Sequence, residues 1–179
     1  MKPQMPLSLP CYDSRHEDKS EDCDMAQHQA EVIWRRGDQD FLDRRYSRKH
    51  VLKFDGGMEV AGSSSPLVVP TPYSDPAAVD PEEAFIAALS GCHMLWFLDL
   101  AARAGFRVDE YHDLAVGEMG RNEAGKAWVA RVTLQPKVAF SGDALPAPEQ
   151  VKQLHHVAHA ECFIARSVKT EVVCQPRPA

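Results

Sequence analysis

One long apolar segment, Asp80–Gly105 (DPEEAFIAALSGCHMLWFLDLAARAG), constrains the fold more than any other part of the chain. Asp80 is a favourable N-cap, Pro81 suits the first helical position, and Glu83 can reach back to complete a capping box. Gly105 stands where many helices end in the left-handed conformation. The segment therefore predicts a single long helix.

Apolar side chains cover most sides of this predicted helix. Those at three- and four-residue intervals share one face, and they are Phe85, Leu89, Cys92, Trp96 and Leu100. A helix that is apolar on most sides belongs in a core or in a subunit interface. Charged and polar residues interrupt the segment too often for a membrane span, so we expect no membrane contact. The interrupting residues are Glu82, Glu83, His93 and Asp99.

The composition indicates one domain preceded by a polar segment. We expect residues 1–24, rich in proline, serine and charge, to form a disordered tail, and residues 25–179 to form the folded domain. The net charge of −6 gives no general affinity for nucleic acid. Five cysteines without a CxxC pair argue against a secreted disulfide scaffold and indicate a reducing, cytoplasmic compartment.

The order of predicted elements indicates the fold class. Strands are expected at Ala30–Arg36, Tyr46–Phe54 and from Met58, and after the long helix at Val108–Gly120, Lys126–Phe140 and Lys169–Gln175. Helical patterns cover Pro148–His159 and Cys162–Val168. Three strands, a helix, two strands, two helices and a strand predict an α+β domain with mainly antiparallel pairing.

Two cysteines are expected to point inward. Cys92 lies on the apolar face of the long helix, and one further turn along the stripe of the second helix reaches Cys162. If these helices touch, the two sulfurs come within disulfide reach and can form a reversible dithiol–disulfide pair. In the alternative interpretation each cysteine is a small hydrophobic packing residue.

The two cysteine segments, PEEAFIAALSGC ending at Cys92 and ECFIARSVKTEV beginning at Glu161, resemble those of the OsmC/Ohr family. That family contains thiol-dependent peroxidases that reduce organic hydroperoxides. The runs FDGG and PYSDPAAVDPEEAF are similar to the looser OsmC-like branch. The resemblance implies an OsmC-like fold and an intertwined homodimer with its active site at the subunit boundary.

The resemblance also implies roles for single residues. Cys92 matches the peroxidatic cysteine, Cys162 the resolving cysteine, and Glu82 the glutamate ten residues before the first cysteine. For the family's arginine we choose Arg48, with Arg45 as the alternative. Ten helical residues span about 15 Å, so Glu82 acts through a long arginine or is an ordinary first-turn acid.

The expected chemistry begins with a thiolate, which a guanidinium can stabilise against the effect of burial. Attack on the peroxide gives a sulfenic acid and an alcohol, and the second cysteine then closes a disulfide that an external dithiol, such as a lipoyl group, reduces. No metal or bound organic cofactor is required. An apolar mouth favours bulky organic peroxides, and its predicted residues are Phe85, Leu89, Trp96 and Phe97.

Other interpretations stay open. One is a zinc site formed by Cys162 and His93 with the histidines His155, His156 and His159, although a polar helix face is expected instead. Another is a hydrolase or transferase that uses Cys92 with His93 or His50. A third is a non-catalytic dimer that binds a hydrophobic ligand between its subunits. Cys174 is expected to be a packed or edge thiol.

Overall fold

The structure, a computed structural model, describes residues 27–178. The described part contains eight strands and three helices. In chain order these are β1 (Ala30–Ile33), β2 (His50–Phe54), β3 (Glu59–Gly62), α1 (Pro81–Arg103), β4 (Arg107–Asp113), β5 (Val116–Arg121), β6 (Ala127–Leu134), β7 (Pro136–Ser141), α2 (Pro148–Glu161), α3 (Phe163–Arg166) and β8 (Glu171–Cys174). The predicted disordered segment, residues 1–24, lies outside the described residues.

The strands form three small sheets with the orders β1-β2-β3, β4-β7 and β5-β6-β8. Every strand pair is antiparallel except β6 and β8, which run parallel. The predicted α+β class with mainly antiparallel pairing is confirmed. The parallel pair places the half-buried Cys174 opposite Leu134, which is 1% exposed.

Local capping fixes both ends of α1 as predicted. The Glu83 N–H donates to Asp80 Oδ1 at 2.8 Å, and the Asp80 N–H donates to Glu83 Oε2 at 3.1 Å. Gly105 has φ +80°, and the next N–H, of Phe106, donates to the Ala101 carbonyl at 3.0 Å. This left-handed closure satisfies carbonyls that the last turn would otherwise leave unpaired.

The two long strands predicted after α1, Val108–Gly120 and Lys126–Phe140, pair with each other as a hairpin, but each is divided in two, which corrects the prediction of two continuous strands. β4 pairs with β7, and β5 pairs with β6. At the break, the Asp113 carboxylate accepts the Gln135 N–H at 2.6 Å, and the following residue, Pro136, has no N–H to give to a ladder. Both long segments are therefore interrupted at the same place, between β4 and β5 and between β6 and β7.

This division lets one helix pack on two sheets. Towards its C-terminal end, α1 packs Phe97 against Val138 of β7 and Ala158 of α2. Towards its N-terminal end, it packs Leu89 against Val132 and Leu134 of β6. Two small cores therefore share α1 as their common wall.

The buried face of α1 differs from the predicted one in its middle. His93 and Phe97 are fully buried, whereas Cys92 and Trp96 are only half-buried. By length and composition α1 could cross a membrane, since its mean hydropathy is 1.6 over an 18-residue window. The prediction that its polar residues rule out a membrane span is therefore not supported by composition. In the folded chain it packs between sheets and α2, as core helices of globular domains do.

The N-terminal strands are shorter than predicted. β2 begins only at His50, because the preceding residues leave the strand to form an aromatic cluster of Trp34, Phe41 and Tyr46, with ring centroids 4.7–5.8 Å apart. The Arg48 N–H donates to the Tyr73 carbonyl at 2.8 Å, which ties this segment to the proline-rich loop before α1.

Candidate functional site

The junction of α2 and α3 brings Cys162 to the middle of α1. Cys162 ends α2 and begins α3 in an extended conformation, with φ −62° and ψ 111°. Its side chain is 1% exposed, and the half-buried Cys92 thiol lies close enough to raise its pKa. Both cysteines are free thiols. The structure therefore brings together the two sulfurs that the sequence singled out.

The surroundings of Cys162 hold its sulfur as a neutral thiol. Burial, and then the hydrogen bond with Cys92, raise the pKa of Cys162 to about 11. The Ala165 N–H, which donates to Cys162 Sγ at 3.4 Å, acts in the opposite direction, since it favours a thiolate. The net effect leaves Cys162 protonated near neutral pH and poorly nucleophilic.

In the described part of the chain, the hydrogen bonds and ring contacts of the two predicted arginines are made with residues other than Cys92 and Cys162. Arg48 donates from Nη1 to the carbonyls of Arg44, at 3.0 Å, and of Tyr46, and its guanidinium stacks 3.9 Å from the centroid of the Tyr46 ring. Arg45 is exposed. The hydrogen bonds and ion pairs among residues 27–178 connect neither arginine to Cys92, so the role of either in activating Cys92 stays a prediction.

The other predicted site residues fall into two groups. Glu82 is half-buried in the first turn of α1, and Phe85 and Trp96 are half-buried on the same helix. Trp96 packs edge-on against Phe163, next to Cys162, with 5.5 Å between ring centroids. Leu89 and Phe97 are fully buried in the two cores and support the helix from behind. Their contact with a substrate stays a prediction.

An open groove of about 610 Å³ runs along α1 on the side of Gly91 and Met94. Its opposite wall is the end of β4 and the residues that follow it, from Tyr111 to Ala115. The lining mixes apolar side chains with the polar residues Glu83, Ser90, His112 and Asp113. Ser90 and Asp113 are joined by a hydrogen bond of 2.5 Å. Cys92 is not among the residues that line this groove, and at 100° per helical residue its side chain leaves α1 on the opposite face.

A second cluster, formed by His93, His155 and Cys174, lies in the interior. His93 Nε2 is 3.1 Å from His155 Nδ1, and Cys174 Sγ is 3.7 Å from His93 Nε2. The two imidazoles are 1% and 3% exposed, and burial is the main cause that lowers the pKa of each to about 4. These rings are therefore neutral at physiological pH.

Sequence reasoning considered His93 and His155 but grouped them with Cys162, and it treated Cys174 as an isolated thiol. One signal was available for His93, because Leu89, His93 and Phe97 recur every four residues and all three are buried. Cys174 could not be placed in the same way, since its position depends on the parallel register of β8 against β6.

Comparison with known proteins points to one family. The family described as OsmC-like protein matches residues 74–177. An OsmC-like protein of unknown function from Vibrio cholerae is 51% identical, with a TM-score of 0.84, and the match covers 86% of this chain and 100% of that one. No curated protein sequence matches significantly.

More distant structures share the fold. An organic hydroperoxide resistance protein from Elizabethkingia anophelis is 16% identical, with a TM-score of 0.62, over 87% of this chain and 96% of that one. The organic hydroperoxide resistance protein OhrB of Bacillus subtilis is 14% identical, with a TM-score of 0.59, over 86% and 98%. The predicted OsmC-like fold is thereby confirmed.

Proposed function

Because this chain belongs to the OsmC-like family, we propose that it is a thiol-dependent peroxidase that reduces organic hydroperoxides to alcohols. The names of structural relatives from Elizabethkingia anophelis and Bacillus subtilis, both organic hydroperoxide resistance proteins, support this reaction class. The observation that carries the proposal is the proximity of the Cys92 and Cys162 thiols, close enough for Cys92 to raise the pKa of Cys162. Two neighbouring thiols can form a disulfide with little movement of the backbone.

The environments of the two thiols assign their roles. Cys92 is half-buried, so part of its side chain is open to an incoming peroxide. Cys162 is 1% exposed, and the raised pKa keeps its sulfur protonated. A buried neutral thiol is a poor first nucleophile, but it is well placed to attack an oxidised neighbour. Cys92 is therefore the attacking residue and Cys162 the resolving one.

The reaction balances in three steps. The Cys92 thiolate attacks one peroxide oxygen, the O–O bond breaks, and the alkoxide takes a proton to leave as an alcohol, while Cys92 becomes a sulfenic acid. The Cys162 thiol then displaces water from that sulfenic acid and forms the Cys92–Cys162 disulfide. An external dithiol, such as a lipoyl group, reduces this disulfide by two exchange steps and is itself oxidised.

A second subunit would complete the site. We propose an intertwined homodimer in which the partner's Arg48, or the partner's Arg45, stabilises the Cys92 thiolate. Exposed apolar side chains on β1, β2 and α1 support a subunit contact, because burying them would remove them from water. They are Val32, Phe54 and Leu95. We also place the reaction in the cytoplasm, where free thiols persist.

The groove also favours one rival proposal, a dimer that binds a hydrophobic ligand without catalysis. In that case the apolar lining along Ile86 and Met94 would hold the ligand, and the two thiols would serve only as packing. The proposals differ in turnover, since binding alone consumes neither peroxide nor dithiol.

Stopped-flow assays with cumene hydroperoxide and dihydrolipoamide test the peroxidase proposal. Cys92→Ser should abolish turnover, and Cys162→Ser should accumulate sulfenic or sulfinic acid on Cys92, measured by mass spectrometry of the intact protein. Cys11→Ser, which removes a thiol of the N-terminal segment, is the matched control and should keep full turnover. Absence of turnover in the parent, as in Cys92→Ser, would instead favour the binding protein.

A further inference from the structure

We propose that His93, His155 and Cys174 form a binding site for one transition-metal ion, and that Zn²⁺ is the ion best matched to it. The site lies where α1, α2 and β8 meet. It uses neither thiol of the proposed peroxidase pair. It therefore adds a metal site to the proposed redox site, and each can be tested without the other.

The distances fit a zinc ion between the three side chains. Zinc binds imidazole nitrogen at about 2.0–2.1 Å and thiolate sulfur at about 2.3 Å, so a tetrahedral ion holds two nitrogens about 3.3 Å apart and a nitrogen and a sulfur about 3.6 Å apart. The corresponding separations here are 3.1 Å for His93 Nε2 to His155 Nδ1 and 3.7 Å for Cys174 Sγ to His93 Nε2. One ligand atom from each residue lies within 4.8 Å of the other two.

Hydrogen bonding alone satisfies this cluster poorly. His93 Nε2 faces both His155 Nδ1 and Cys174 Sγ, and a ring nitrogen is either a donor or an acceptor. As a donor it must share one proton between two acceptors, and as an acceptor it must share one lone pair between two donors. A metal ion at the centre accepts a lone pair from all three atoms at once.

The scaffold leaves both imidazoles able to point a lone pair at that centre. The outer nitrogens, His93 Nδ1 and His155 Nε2, are buried and have no hydrogen-bond partner among residues 27–178, so no contact in this part of the chain fixes either tautomer. The Phe97 ring stacks on His155 with 4.2 Å between centroids, which holds the plane of that ring. Three protein ligands leave a fourth position for water.

Beyond the effect of burial, charged groups near the cluster act in both directions on the pKa of His93, because His159 lowers it whereas Asp113 raises it. Burial, the largest cause, lowers the pKa of His93 and of His155, and metals bind the neutral form of imidazole. The Asp113 carboxylate lies close enough to perturb the pKa values of both His93 and Cys174 and adds negative charge nearby. Cys174 would bind as thiolate and release its proton to solvent.

Titration of the full-length, metal-free protein with Co²⁺ and then Zn²⁺ tests the site. We expect one Co²⁺ per chain with a thiolate-to-cobalt charge-transfer band, and displacement of that ion by Zn²⁺. Cys174→Ser should lose the band, and Cys174→Ser and His155→Gln should each weaken Zn²⁺ binding by more than about a hundredfold. The matched controls are Cys162→Ser and His156→Gln, which should retain binding.

X-ray absorption on the zinc-loaded parent keeps the test independent of how the variants fold. One sulfur and two imidazole ligands would support the assignment, whereas two sulfurs would place the metal on another cysteine pair and overturn it. Absence of stoichiometric Zn²⁺ binding by the parent would overturn it as well, and so would loss of binding in Cys162→Ser with retention in Cys174→Ser.

Discussion

The Ser90 hydroxyl donates a 2.5 Å hydrogen bond to Asp113 Oδ2 and so joins the middle of α1 to the last residue of β4. The other carboxylate oxygen, Oδ1, accepts the Gln135 N–H at 2.6 Å. One side chain therefore links α1 with both arms of the divided hairpin, at the break where no ladder hydrogen bond is available.

Asp113→Ala should destabilise the domain because it leaves the partly buried Gln135 N–H and Ser90 hydroxyl without their acceptor. We expect a loss of about 1–3 kcal/mol in the free energy of unfolding, measured by urea denaturation. Asp109→Ala is the matched control, since Asp109 accepts the Ser141 hydroxyl on the exposed surface. Its effect should stay within about 0.5 kcal/mol, and equal losses in both variants would contradict the assigned role of Asp113.

The two thiols of the proposed peroxidase pair should differ in reactivity. The raised pKa of Cys162, about 11 against an ordinary value of 9.0, lowers its thiolate fraction near neutral pH by about a hundredfold. We expect iodoacetamide to label Cys162 at least that much more slowly in the native protein than in urea, with a rate that rises about tenfold per pH unit.

Peptide mapping by mass spectrometry of reduced protein measures both rates. Cys92, which is half-buried, should be labelled first. Labelling of Cys162 before Cys92 at pH 7 would contradict the assignment of Cys92 as the attacking residue. Labelling in Cys92→Ser provides the control, because this variant removes the Cys92 thiol, which after burial is the main cause that raises the pKa of Cys162.

Local patterns in the sequence predicted α1 and its caps, since capping depends on residues such as Asp80, Glu83 and Gly105 that are neighbours in the chain. The pairing of Cys92 with Cys162 could be predicted because each cysteine continues an apolar stripe of its own helix. The peroxidatic role of Cys92 and the resolving role of Cys162 were predicted from the family resemblance, because apolar spacing on a helix does not distinguish one cysteine's role from another's.

The divided hairpin and the His93–His155–Cys174 cluster were not predictable in the same way. Asp113 and Gln135 belong to different strands, and only the tertiary fold brings the carboxylate to that N–H. Alternation of apolar residues continues through the break, so the pattern indicates one strand where there are two. The place of Cys174 depends on strand register, which a single sequence does not specify.

Stability of the metal-free protein should fall on acidification. His93 and His155 each have a pKa of about 4 in the folded chain and an ordinary value of 6.5 when unfolded, with burial as the main cause. The unfolded chain therefore binds more protons below pH 6.5, and stability is lost as the pH falls from about 6.5 towards 4. We expect a loss on the order of 3 kcal/mol for each imidazole.

Urea denaturation at a series of pH values, with a chelator present, measures this loss. His155→Gln should flatten the pH dependence, even if it lowers stability at pH 7. His156→Gln removes an exposed histidine on the same helix and should leave the slope unchanged. If the pH dependence of stability persists in His155→Gln and disappears in His156→Gln, it arises from His156 and the prediction is wrong.

Gly91, beside Cys92 on α1, offers the final prediction. A Cβ added there would meet no atom within 4 Å, and glycine inside a helix costs about 1 kcal/mol relative to alanine. Gly91→Ala should therefore raise the free energy of unfolding by about 0.5–1 kcal/mol, measured by urea denaturation. Gly117→Ala is the contrasting variant, since its Cβ would come within 2.5 Å of Ile86 Cδ1 and should destabilise the domain. A loss of stability in Gly91→Ala would instead mean that the folded protein fills the groove along α1 with a second subunit, because only an additional contact could penalise a methyl group that has open space in the single chain.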